Sequence, residues 1–103
     1  MEIKYNFGNY SQEEAYQKID NFLDGLVSQY SDMIANPSKK WNPEKNKMDF
    51  GFEAKGVGII GNIKLLEGKL ILDGKVPWIV AKLYGGKIEK MINENLDELF
   101  VKK

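Results

Sequence analysis

The residues best placed to do chemistry lie in one short stretch, where Lys39, Lys40, Lys45 and Lys47 surround Trp41 with only Glu44 in opposition. A tryptophan among lysines can dock on an anionic surface, a lipid headgroup or a single nucleic-acid strand, by stacking and by charge. The plainer reading of the same residues is an edge hairpin whose lysines keep strands of separate molecules from pairing. Elsewhere the side-chain alphabet is narrow, with no His, Cys, Arg or Thr anywhere in the chain. That removes imidazole bases, thiol nucleophiles, disulfides, His/Cys metal sites and guanidinium clamps together. Acid–base work would fall to carboxylates such as Asp49, Glu53, Asp97 and Glu98, for which solvated charge is the simpler account. Tyr5, Tyr16, Tyr30 and Tyr84 each fall on an apolar stripe, so they read as core before they read as pocket. Gly56, Gly58 and Gly61 have the spacing of a dinucleotide loop. That motif must follow a strand and open a helix, and here it lies inside a hairpin. The composition therefore points away from an enzyme and calls for no cofactor and no metal.

Lys and Arg together number 15, as do Asp and Glu, so the net charge is zero and no overall field draws in nucleic acid. A hydrophobic fraction of 43% over 103 residues supports one core and one domain, residues 1–103. Glu2, Lys4 and Asn6 break every early apolar run, and no span approaches the ~18 apolar residues of a transmembrane helix. A cytoplasmic chain is the expectation.

The elements that would hold these residues follow from periodicity. Ile3, Tyr5 and Phe7 alternate with Glu2, Lys4 and Asn6 as a half-buried strand. Ser11 and Glu14 form a capping box, opening a helix whose apolar positions recur at spacings of three and four from Ala15 to Ile34. Asn36-Pro37 is the expected stop. Gly25, inside that helix, is a candidate for close approach to a neighbour.

From Ser38 to Val76 the period is two. A two-residue turn at Glu67-Gly68 sets Leu65 opposite Leu70, Ile63 opposite Leu72, Gly61 opposite Gly74 and Ile59 opposite Val76. A second turn at Lys55-Gly56 sets Ala54 opposite Val57, Phe52 opposite Ile59, Phe50 opposite Gly61 and Met48 opposite Ile63. All of these share one face, and a slip of one residue in either hairpin would expose the whole set. The Phe50 ring can cover the gap at Gly61. Asn42 to Asn46 is a turn, so Lys39–Trp41 supplies a further strand. Pro77 suits the first position of a second helix, whose stripe includes Val80, Leu83, Tyr84, Ile88, Leu96 and Phe100. Gly85-Gly86 interrupts it with either a kink or close packing.

The order β-α-β-β-β-β-α, with one apolar sheet face and two amphipathic helices, gives an α+β fold. It is an antiparallel meander carrying both helices on that face, a reduced helix-grip arrangement. Two further sites are open to such a fold. Gly61 and Gly74, with Phe50 and Tyr84, could border a pocket for a small hydrophobic molecule beneath the C-terminal helix. Ile60, Leu66 and Ile71 on the other sheet face, or an unpaired edge strand, could build a homodimer.

Several blocks carry a resemblance: Gly56-Val57-Gly58, Gly61-Asn62-Ile63, the strand Leu70 to Val76, Pro77-Trp78-Ile79-Val80, Gly86-Lys87-Ile88-Glu89 and Leu96-Asp97-Glu98-Leu99. From Phe50 to Phe100, and more loosely over the first half with its opening strand, helix and Trp41 before the turn, the chain resembles the putative polyhydroxyalkanoic acid system protein family, small bacterial proteins associated with polyester storage granules. It departs from that pattern at Asn9-Tyr10-Ser11-Gln12, where similar proteins often have a His-Ser-Leu-Gly type entry, and in using lysine for every basic residue. The resemblance implies a non-enzymatic protein of the polyhydroxyalkanoate system, granule-associated or regulatory, with the granule surface or its proteins as partners. It brings no catalytic residue and no cofactor.

Overall fold

The computed structural model describes residues 2–54, 56–75 and 78–101, and leaves outside the description the side chains of Leu26, residues 78–81, 83–85, 88 and 91. The order is β1 (Glu2–Asn6), α1 (Gln12–Gln29), β2 (Ile34–Trp41), β3 (Lys47–Ala54), β4 (Val57–Leu66), β5 (Lys69–Lys75) and α2 (Trp78–Leu99). One antiparallel sheet runs β1-β5-β4-β3-β2, so the fold is the expected α+β arrangement.

Burial of a single face sets the register. Leu65 pairs with Leu70, Ile63 with Leu72 and Gly61 with Gly74, while Met48 pairs with Ile63, Phe50 with Gly61, Phe52 with Ile59 and Ala54 with Val57. Gly68 and Gly56 take the positive φ values, 72° and 78°, that these tight turns demand. Lys55, Val76 and Pro77 lie outside the described residues, as do the side chains of Val80, Leu83, Tyr84 and Ile88. β1 joins at the far edge, with Ile3 opposite Leu72 and Tyr5 opposite Leu70. One core cluster unites Met48, Ile63, Leu65 and Leu70 from the sheet with Ala15 and Ile19 of α1 and Leu96 and Phe100 at the α2 end. Both helices thus share the apolar face.

α1 opens on its capping box: the Glu14 amide donates to Ser11 Oγ and the Ser11 amide to Glu14 Oε1, each at 3.1 Å. It closes earlier than its apolar stripe suggests. The helix ends at Gln29, the amides of Met33 and Ile34 both return to the Tyr30 carbonyl at 2.9 Å, and Ile34 is already paired with Ala54. Ser31 and Asp32 compete with helical hydrogen bonding, and strand pairing supplies the backbone partners that another helical turn would have given. Asn36-Pro37 is therefore no helix stop. It forms a bulge in edge strand β2, where the register shifts between Ala35 and Ser38 and Asn36 adopts φ 52°. An edge bulge is where a strand tolerates proline's missing amide.

The two expected glycine contacts in the helices also resolve. Among the described residues, a Cβ on Gly25 would meet nothing within 4 Å, and neither would one on Gly86. α2 runs unbroken through Gly85 and Gly86. Since nothing described crowds Gly25, Gly25→Ala should raise stability by up to about 1 kcal/mol, read as a higher urea midpoint; a lower midpoint would mean that the position is obstructed.

The α2 end is fastened to β1 by aromatics. The Phe100 ring stacks on Phe7 at 5.0 Å, meets Tyr10 edge-on at 5.4 Å and lies 6.0 Å from Tyr5. The Tyr5 hydroxyl donates to Asp97 Oδ1 at 2.7 Å, and the Tyr10 hydroxyl donates to the Val101 carbonyl. Burial, reinforced by the Asp97 carboxylate, pushes the Tyr5 phenol up to about 12.

Candidate functional site

Strand alternation divides the lysine and tryptophan group. Lys40 and Lys47 stand on the outer face, opposite Asp49 and Lys64 respectively, and are exposed. Lys39 and Trp41 turn inward, beneath α1. Asp20 and Asp24 are four residues apart and so project from one side of that helix. Lys39 Nζ lies 2.7 Å from Asp20 Oδ1 and 2.7 Å from Asp24 Oδ1. Trp41 Nε1 donates to Asp20 Oδ1 at 2.9 Å, and its ring meets Tyr16 edge-on at 4.8 Å. Lys45, held at φ 57° in the loop after β2, sets its ammonium 4.9 Å from the Tyr16 ring centroid. The structure thus brings Lys39, Trp41 and Lys45 together around α1 and leaves Lys40 and Lys47 apart from them.

Electrostatics tie this network to α1. Hydrogen bonding from Lys39, aided by Trp41, holds the Asp20 carboxyl below the usual carboxylate range against the opposing effect of partial burial. Partial burial on its own would lower the Lys39 ammonium, but the hydrogen bonds and charges of Asp20 and Asp24 outweigh it and raise it. A carboxylate held low contributes stability that is complete above its ordinary value near pH 4 and is lost as pH falls through its folded value. Asp20→Asn should therefore lower the urea midpoint at pH 7, with a narrower gap to the wild type at an acid pH below the ordinary carboxylate value. Curves separated equally at both pH values would contradict this.

Beside the network, a groove of about 570 Å³ runs between the second half of α1 and the inner face of β2 and β3. α1 contributes Leu23 and Val27, the turn after it Tyr30, β2 Ile34 and Pro37, and β3 Phe50 and Phe52. Asp24 and Lys39 flank it, and Ser28 and Ser38 add hydroxyls. The Ser38 hydroxyl donates to the Gly51 carbonyl at 3.3 Å. The early end of α1 and the bulge in β2 create this concavity, because Ile34 and Pro37 become strand wall instead of helix.

Of the residues proposed for a pocket under α2, Phe50 lines this groove beneath α1. Its ring turns back over Gly61, with Cζ only 2.7 Å from where a Gly61 Cβ would stand. Gly74 pairs with Gly61 on the next strand and is buried. The side chain of Tyr84 lies outside the described residues. On the outer sheet face, Ile60 and Leu66 are exposed at 58% and 43%, while Ile71 is half-buried between Lys64 and Lys4. No described helix is long and apolar enough to cross a membrane.

Sequence reasoning missed Leu23, Val27, Ile34 and Pro37 as groove wall, since it ran one helical stripe to Ile34. The usable signal was Ser31-Asp32, a polar break ahead of the proline. Comparison with known proteins adds one finding: the model of a family described as "Putative polyhydroxyalkanoic acid system protein" matches residues 9–100. No curated protein and no solved structure matches.

Proposed function

The chain belongs to the putative polyhydroxyalkanoic acid system protein family, and from that premise we propose that it is a non-enzymatic, cytoplasmic protein that associates with the polyester storage granule. The observation that carries the reading is the family match across residues 9–100. The groove supports it, because an exposed concavity walled mainly by aliphatic and aromatic side chains suits contact with an apolar polymer better than with a soluble polar metabolite. The outer face, with Lys40, Lys47, Lys64 and Asp49 in water, would keep such a protein soluble on its other side.

Fractionating cells with and without stored polymer tests this. The protein should sediment with granules when polymer accumulates, and purified protein added to polymer should release no hydroxy acid. Equal presence in the soluble pool under both conditions would overturn the granule association, and release of hydroxy acid would overturn the non-enzymatic role. A second reading, a carrier of small hydrophobic molecules, is favoured by the groove's volume, which falls within the roughly 300–1,000 Å³ of small-molecule sites. A carrier would keep its distribution whether or not polymer is present.

A further inference from the structure

We propose that the groove between α1, β2 and β3 binds a neutral, ester-linked hydroxyalkanoate chain, and that Asp20, Asp24 and Lys39 at its side turn away the corresponding free acid. The polyester class rests on the functional reading above; the preference for ester over acid comes from the charges at the groove.

Among the described residues one cation lines the groove, and it is already claimed. Lys39 Nζ sits 2.7 Å from a carboxylate oxygen of Asp20 and 2.7 Å from one of Asp24, so one positive charge faces two negative ones. A ligand carboxylate entering beside Lys39 would be the third negative group around one ammonium, and like charges at such separations repel. It would have to displace Asp24 or remain unpaired in an apolar setting, and both are costly. An ester has no charge to place. Its carbonyl only accepts hydrogen bonds, and the lining offers donors that match it, the Ser28 hydroxyl and the Tyr30 phenol. The chain's hydrocarbon parts would bury against Val27, Ile34 and Phe52. A neutral polyester segment thus satisfies both halves of the lining, whereas a fatty or hydroxy acid satisfies only the apolar half.

The decisive measurement is a nuclear magnetic resonance titration of the isotopically labelled full chain with two probes. One is a short 3-hydroxyalkanoate oligomer capped as its methyl ester; the other is the same oligomer with its carboxylate free. The capped oligomer should shift the amides of Val27, Ser28, Ile34 and Phe52 and bind at least about ten-fold more tightly than the acid. Asp24→Asn, a change at an exposed side chain, should bring the two affinities together by releasing Lys39 to the ligand carboxylate. Val27→Trp should abolish the shifts by filling the groove. Shifts confined to other surfaces, equal binding of both probes by the wild type, or an unchanged preference in Asp24→Asn would each overturn the proposal; the wild-type map decides the location even if Val27→Trp fails to fold. In cells, granule association that survives Val27→Trp would overturn the groove assignment and leave the granule reading standing. Absence of the wild type from granules would overturn that reading instead.

Discussion

Gly61→Ala should destabilise the protein by about 3 kcal/mol, although it adds a single methyl group. A Cβ there would stand 2.5 Å from the Asp73 carbonyl oxygen, 2.7 Å from Phe50 Cζ and 3.0 Å from Gly74 Cα. The first and third of these are backbone of the paired strand β5, which cannot withdraw without breaking the β4–β5 ladder. The ring of Phe50 could rotate only by giving up its cover of the sheet. Gly74→Ala is the matched control. Gly74 faces Gly61 directly, yet among the described residues a Cβ on it would meet only Leu72 Cδ2, at 4.0 Å, so its cost should stay below about 1 kcal/mol. For a domain of this length each kcal/mol moves the melting temperature by roughly 4–8 °C, so two thermal melts separate the variants clearly. Equal melting temperatures would mean that neither the β5 backbone nor the Phe50 ring crowds Gly61. Gly61→Ala combined with Phe50→Leu should recover only part of the loss, because the Asp73 carbonyl stays where it is.

Phe100→Ala should cost about 3–4 kcal/mol, the usual range for emptying a buried aromatic site. Phe100 is 4% exposed, and its ring meets those of Tyr5, Phe7 and Tyr10. Its removal would empty the aromatic contact at the end of α2, leaving Leu96, Ile92 and Leu99 among the described side chains, with the two tyrosine hydroxyls, to hold the helix to the core. Amide exchange should therefore quicken in α2 and β1 before it does in β3 and β4; uniform quickening would show that the helix end is not a separate latch. Alkali should act on the same latch. Because the folded Tyr5 phenol titrates near 12 and an ordinary tyrosine near 10, its contribution is complete below about pH 10 and disappears as pH rises toward 12. Tyr5→Phe should differ from the wild type at pH 9 and match it near pH 12, as followed by urea midpoints.

The sheet was readable because its interior leaves no choice of register. Phe50 opposite Gly61 and Ile63 opposite Leu72 follow from two turns and one apolar face, and a shift of one residue would place every one of them in water. The capping box at Ser11 and Glu14 was readable because its chemistry is local. The end of α1 was not, since Tyr30, Met33 and Ile34 continue a helical period. Only pairing with Ala54 and Glu53, distant in sequence, decides that the chain turns there. The candidate site suffered for the same reason. Lys39 read as exposed because the sequence cannot show that Asp20 and Asp24, on another element, reach across to it. The family resemblance, sharpest from Phe50 to Phe100 and looser in the first half, holds over residues 9–100.

The position of β1 has a consequence for the order of assembly. Residues 2–6 find their partners at 69–73, and Phe7 closes on Gly68, so β1 pairs across the longest sequence separation in the sheet. During translation it must wait, unpaired and carrying Ile3, Tyr5 and Phe7, while three successive hairpin arms form from local contacts that close quickly. A nascent chain of this protein therefore leaves β1 exposed and sticky until β5 has emerged, and it is in that interval that a chaperone would have something to hold.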